Sequence, residues 1–129
     1  MIRLELPLAP STNRLWRVGK GGRMYKSAEY VAWLEEAGWM IRAQTKSQID
    51  GPYIIHISAT KPDKRRRDLD NLLKSTSDLL VKTGLVEDDS ECRAIAAEWG
   101  EHGIPMVVTI FGINEGSEAW AENRKLMLN

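Results

Sequence analysis

Between positions 64 and 74 the chain reads Lys64-Arg65-Arg66-Arg67-Asp68-Leu69-Asp70-Asn71-Leu72-Leu73-Lys74, four consecutive bases running straight into two carboxylates. The apolar spacing that follows predicts a helix, so both carboxylates stand at its mouth. Inside a helix, side chains two positions apart point about 200° apart; in the extended chain entering a helix they point the same way. Asp68 and Asp70 therefore converge only if Asp68 lies at or before the N-cap, where an aspartate is also locally favoured. Asp88 and Asp89 follow the helix after a short turn. Should a third carboxylate join the pair, repulsion matters, since unit charges about 4 Å apart cost roughly 4 kcal/mol at an effective dielectric of about 20. Three carboxylates then protonate, separate or bind a hard cation. Oxygen ligands without a convergent His or Cys favour Mg²⁺ or Mn²⁺ over zinc. A cation so held beside a polybasic loop is what phosphodiester hydrolysis requires, with arginines on the flanking phosphates.

The same residues have a plainer reading. Asp68 can cap the helix, Asp70 can favour the positive end of its dipole, and Asp70 with Lys74 can be a surface i,i+4 pair. The basic run can be a solvated loop. Whether Asp89 reaches the first pair depends on how the next strand lies beneath the helix, which spacing alone leaves open.

Several elements must position these groups. Ile2, Leu4 and Leu6 alternate with Arg3 and Glu5, giving a strand over residues 2–8. Residues 9–26, with Gly19, Gly21 and Gly22, read as a long loop. Ser27 suits an N-cap, and Tyr30, Leu34, Ala37 and Ile41 carry a helix to about residue 48. Residues 53–60 form a second strand. The second helix covers residues 68–83 and stops at Gly84. Its apolar stripe is Leu69, Leu72, Leu73, Thr76, Leu79 and Leu80, with Asp70, Lys74, Ser77 and Asp78 opposite. The turn 87–90 leads into a third strand ending at Trp99. Residues 100–103 read as a hairpin loop, and residues 105–113 as the fourth strand. A terminal helix over 117–128 is optional. The order β-α-β-α-β-β predicts an α/β (α+β) fold in one domain over 1–129, a mixed sheet of about four strands with two main helices packed on it. The β-α-β portions favour parallel pairing, and the final hairpin adds an antiparallel element.

At 129 residues the chain has room for one modest core, and its 43% hydrophobic and 28% charged shares are ordinary for a globular protein. No apolar run approaches the roughly 20 residues of a membrane span. The opening stretch has charges inside it and reads as a strand rather than a signal peptide. Cys92 is the single cysteine, so no internal disulfide forms and a reducing, cytoplasmic setting is expected. Formal net charge is zero, yet the charge is uneven. Lys61, Lys64, Arg65, Arg66 and Arg67 are opposed locally only by Asp63, and Arg14, Arg17, Lys20, Arg23 and Lys26 have no acid between them. A neutral total hides two basic surfaces.

The segment resembles the RusA family of Holliday-junction resolvases. Arg66-Arg67-Asp68-Leu69-Asp70-Asn71-Leu72, then Lys74, Gly84 and the Asp88-Asp89 pair follow that family's core pattern, and Pro10-Ser11-Thr12-Asn13-Arg14 is similar to its amino-terminal element. The likeness covers most of residues 2–113. It implies a small homodimer of mixed α/β fold that cuts four-way branched DNA symmetrically with Mg²⁺ or Mn²⁺, in recombination and repair, and is common in phage and prophage. It assigns the catalytic carboxylates, also the metal ligands, to Asp68, Asp70 and Asp89, and the essential lysine to Lys74. Asn13, Arg14, Arg67 and Asn71 would contact DNA or support the site; Arg17, Lys64, Arg65 and Arg66 join them as DNA-binding candidates. No organic cofactor and no membrane partner are expected. A two-fold dimer suits a four-way junction, whose resolution needs two matched cuts.

Two further readings use the same residues: a junction-binding accessory protein that no longer cuts, and a metal-dependent nuclease for other branched nucleic acids. The intact acid and lysine set argues against the first, since a pure binder gains from losing acids near phosphates. Trp16, beside Arg14 and Arg17, is a candidate to wedge at a junction centre or stack on an unpaired base. Trp33 and Trp39, on the first helix, suit a core or dimer interface.

Overall fold

The structure is a computed structural model and describes residues 1–11, 15–113 and 125. The optional terminal helix, Asn13 and Arg14 lie outside the described residues.

Four strands form one mixed sheet: β1 (Ile2–Leu6), β4 (Tyr53–Ala59), β5 (Cys92–Trp99) and β6 (Met106–Gly112), in the order β1-β6-β4-β5. β6 is antiparallel to both β1 and β4, with Val108 opposite Leu4 on one side and Ile57 on the other. β4 and β5 are parallel, Ile57 facing Ala97. Helices α1 (Ala28–Gln44) and α2 (Asn71–Lys82) cover the sheet, and Leu34, Ile41, Leu72 and Leu79 meet Leu4, Ile55, Ile57 and Val108 in one buried cluster.

The expected α/β (α+β) architecture is present, with differences that have physical causes. Residues 9–26 are not simply a loop, because β2 (Trp16–Val18) pairs with β3 (Met24–Lys26) as a separate antiparallel ribbon. Its three tip glycines were the signal for a turn. α1 begins at Ser27, whose hydroxyl accepts the Tyr30 N–H, but ends at Gln44, not near residue 48. There Thr45 turns extended and its hydroxyl accepts the Ser47 N–H, a local bond that competes with helix continuation. The segment 100–103 is no hairpin loop: it crosses the end of β4, so that β6 pairs with β4 and β1 rather than with β5. The Gly100 N–H donates to Ala59 O at 2.7 Å, and the Thr60 N–H to Pro105 O at 3.1 Å. Burial explains the choice. β4 and β6 are rich in Ile and Val and sit in the middle, whereas β5, with Ala94, Ala96 and Ala97, is half-buried throughout and takes the edge.

The two helices are tied together through Tyr30. Its ring is fully buried and stacks on Trp33, with centroids 6.1 Å apart, and its hydroxyl donates to Asp78 Oδ2 of α2 at 2.7 Å. Burial and this carboxylate both push the phenol far above its usual range. Trp33 belongs to the core and its indole N–H donates to Pro7 O, while Trp39 is exposed. Tyr30→Phe keeps the packing and removes only the bond to the charged group. Unfolding free energy is expected to fall by about 1.5–3 kcal/mol, read as a lower denaturant midpoint at unchanged slope; an unmoved midpoint would contradict this role.

Candidate active site

Because β4 and β5 are parallel, α2 must start at the carboxyl end of β4 and return along the sheet to the amino end of β5. Asp68 lies in the turn before the helix, and its carbonyl accepts the Asn71 N–H at 3.3 Å. Asp70 occupies the N-cap position in helical conformation, yet its side chain makes no capping hydrogen bond. Both carboxylates are exposed, and neither makes a side-chain hydrogen bond or ion pair with a described residue. The expected i,i+4 pair of Asp70 with Lys74 is absent. Lys74 turns the other way and its Nζ lies 3.0 Å from Asp78 Oδ1. The plain structural roles therefore leave Asp68 and Asp70 unused.

Lys74 is held in place by this contact. Its hydrogen bond with Asp78, and then the charge of Asp78, raise the ammonium above its usual range. Asp89 adds a smaller effect of the same sign. Tyr30 and Lys74 thus share Asp78, so the buried α1–α2 tie also fixes the site lysine.

Asp89 opens a short 3-10 turn, Asp89–Glu91, just before β5. Of the two adjacent acids, Asp88 is committed locally: the Ser90 hydroxyl donates to its Oδ2 at 2.6 Å, which lowers its pKa. The Tyr53 hydroxyl donates to the Asp88 carbonyl, anchoring the turn to β4, and burial first of all lifts Tyr53 to about 12. Asp89 is exposed too, and its carboxyl lies within hydrogen-bonding reach of Asp88, to whose lowered pKa it contributes. The convergence of Asp68, Asp70 and Asp89 is not found within one chain. Among the described residues no three His, Cys, Asp or Glu side chains lie close enough to hold one metal ion. The reason is the helix between them, whose 12 residues span about 18 Å.

The basic loop is organised by Asp63. Its Oδ1 accepts the Arg65 N–H at 2.9 Å and its Oδ2 faces the Arg67 guanidinium at 3.1 Å; these bonds, the backbone one first, lower its pKa. Folding around this acid turns Arg67 inward, where its Nε is buried with no hydrogen-bond partner. A cleft of about 700 Å³ opens there, lined among others by Trp33, Arg65, Arg66, Arg67, Asp68 and Asn71. Lys64 and Arg66 stay exposed, while Asn71 is half-buried as the first residue of α2.

The structure thus gathers Arg65, Arg66, Arg67, Asp68 and Asn71, with Glu29 and Glu36 of α1, around one cleft, while Asp70 stands at the helix start outside its lining. It keeps Asp89 at the far end of α2, and Arg17 stands apart on β2. Sequence reasoning missed Asp78 and Asp63 as the groups that position Lys74 and Arg67. Both were findable, Asp78 from its i,i+4 spacing to Lys74 and Asp63 from its two-residue spacing to Arg65, the mark of an Asx turn.

Comparison with known proteins supplies the context. The family profile described as Endodeoxyribonuclease RusA matches residues 6–110. A relative from Aquifex aeolicus (strain VF5), named Crossover junction endodeoxyribonuclease RusA, is 37% identical over 87 residues, covering 67% of this chain and 68% of its own length. The protein of that name from Escherichia coli (strain K12) is 39% identical over 89 residues, 68% of this chain and 73% of its own. That from Enterobacteria phage 82 is 39% identical over 92 residues, with the same two shares of 68% and 73%. A mixed four-stranded sheet, a crossover helix opening on exposed aspartates and a profile match across most of the chain agree: this protein belongs to the RusA endodeoxyribonuclease family.

Proposed function

We propose that residues 1–129 form one endonuclease domain that resolves Holliday junctions by paired symmetric cuts, using Mg²⁺ or Mn²⁺, in recombination and repair. The likeness to a phage relative supports a phage or prophage type. The reading carries with it a cytoplasmic setting, where the DNA is, and needs neither a membrane nor an organic cofactor.

The observation that carries it is the pairing of two exposed, uncommitted carboxylates with a guanidinium wall that contains an orphan donor. A buried N–H without a partner is rare and signals a missing acceptor, and a phosphate oxygen beside Arg67 Nε fits that need. Lys64, Arg65 and Arg66 extend the phosphate track, and Asn71 borders it. Lys74, kept charged by Asp78, is suited to hold the scissile phosphate or steady the leaving oxygen.

Asp68, Asp70 and Asp89 are all exposed and offer oxygen donors only, and such a set fits a hard divalent ion. When bound, the ion supplies a lowered water pKa and offsets charge on the phosphate. Since no three such side chains of the described residues lie close enough to hold one ion, we assign the third donor to a second copy. β5 is an edge strand that begins just after Asp89 and ends at Trp99, which lines the cleft beside Asp68. A two-fold pairing of such edges runs antiparallel and sets the start of one β5 against the end of the other. The homodimer then has two identical sites, each built from both chains.

Labelled four-way, flapped and linear DNAs, incubated with Mg²⁺ or with EDTA, test the main reading. Symmetric nicks confined to the four-way DNA with Mg²⁺ are expected. Cutting of flaps or RNA would instead identify a nuclease for other substrates, and binding without cuts an accessory protein. Asp70→Asn is expected to lower cutting by more than about 100-fold while junction binding is kept or tightened; wild-type cutting would refute the assignment. Shared sites make a sharper prediction. Asp70→Asn and Asp89→Asn chains, each inactive alone, should regain single-strand nicking when refolded together, because one mixed site is then intact. No recovery in verified heterodimers would place all three ligands on one chain.

A further inference from the structure

The β2–β3 ribbon carries features that the cleft does not use. Its base is fixed: Leu15 is fully buried, the Ser27 N–H donates to Leu15 O at 2.8 Å, and Trp16 packs edge-on against Tyr30 with centroids 6.4 Å apart. Trp16 is therefore an anchor, not the stacking group that its place among arginines suggested. Beyond this anchor the ribbon stands free. Val18 and Met24 face each other across it and are 69% and 64% exposed, while Tyr25, opposite Arg17, is 53% exposed. Isolated exposed apolar residues need no explanation, but three on one short ribbon do.

The charge says what they meet. Between Trp16 and Lys26 stand Arg17, Lys20, Arg23 and Lys26 with no acid. Lys20 and Arg23 at the tip, on a segment with no acid between Trp16 and Lys26, suit a polyanion, not an apolar protein face. The tip bends through Gly21 and Gly22 at φ of 75° and 77°, a left-handed conformation that keeps the turn narrow and free of side chains. Gly19 lets the Tyr25 ring lie close, since a Cβ there would come within 3.1 Å of it, so the ring is held against the ribbon rather than swinging. A two-stranded ribbon has the width of a DNA groove, and apolar side chains carried by such elements enter between base steps.

We propose that the β2–β3 ribbon is an insertion element for branched DNA. Its cations seat on phosphates around the branch point, and Val18, Met24 and Tyr25 enter where base stacking is already interrupted. An interrupted stack costs least to open, so a narrow turn backed by Val18 and Met24 on one face and Tyr25 on the other selects the branch over uniform duplex. The inference rests on the branched-DNA reading above but assigns the shape selection to the ribbon and not to the metal site.

The test uses full-length protein in EDTA, where cutting is absent, and a four-way junction with a fluorescent purine analogue at the branch, whose emission is quenched by stacking. Saturating wild-type protein should raise the emission. Val18→Ser, Met24→Ser, Tyr25→Ser together should abolish the rise and bring junction affinity down toward that for linear duplex, with duplex affinity unchanged. Met24→Ser alone should give a partial loss in the same direction. Lys20→Gln with Arg23→Gln should instead weaken both DNAs and flatten the log–log salt dependence by about 1.8. An equal rise in emission with the triple variant, or equal losses on duplex and junction, would overturn the proposal. Failure of the endonuclease reading would show as absent cutting with this signal intact.

Discussion

Two neighbouring parallel strands cannot be joined by a tight turn, and most of this molecule follows from that constraint at β4 and β5. The crossover helix must begin where β4 ends and finish where β5 begins. Everything chemical is hung on its two ends. At the start stand Asp68, Asp70, Asn71 and the arginine loop; at the finish stand the Asp88-Asp89 turn and the tyrosine that anchors it. One helix length, set by the depth of the sheet, thereby separates carboxylates that the chemistry wants together. Under the proposed two-chain site, this separation is a physical reason for a dimeric enzyme rather than a merely symmetric one.

Acids in this protein divide by what surrounds them. Asp63 is occupied by a backbone N–H and a guanidinium, Asp78 by a phenol and an ammonium, Asp88 by a serine hydroxyl. Each of these shapes a loop or holds a base. Asp68 and Asp70 have no such bonds with described residues and stand exposed at the start of α2, and Asp89 stands exposed beside Asp88 just before β5. Unpaired carboxylates beside arginines repel the very phosphates that the arginines attract, so a protein that only bound DNA would be better without them. Committed acids position loops and bases; the exposed ones are those that the proposed function gives to a cation.

The legible parts of the sequence were those with local causes. Ser27 as a cap, the buried stripe from Tyr30 to Ile41, the α2 stripe and the two Ile- and Val-rich strands all follow from periodicity over a few residues. The motif from Arg66 to Lys74 pointed to the right chemistry for the same reason. What stayed hidden depends on distant pairing. Nothing within residues 100–103 says that β6 will pass over β4, because that choice is made by competition between whole strands for the sheet centre. Likewise, the tie of Asp78 to Tyr30, 48 residues away, could not be read from local spacing, although the i,i+4 pairing of Asp78 with Lys74 could.

Zero net charge is the last feature the fold makes sense of. Binding a junction needs local positive density, not a positive total, and the two basic segments are separate elements with separate supports. The 64–67 segment folds around Asp63 and faces the cleft, while the ribbon is rooted by Leu15 and Trp16 on α1. Acids such as Glu5, Glu35, Glu87 and Glu101 are exposed elsewhere and balance the sum without entering either surface. Such a distribution lowers indiscriminate attraction to ordinary duplex, where affinity scales with the number of phosphates met. Under the proposed branched-DNA reading, the cations of the two elements then seat the phosphates while insertion by the ribbon, rather than charge, selects the substrate.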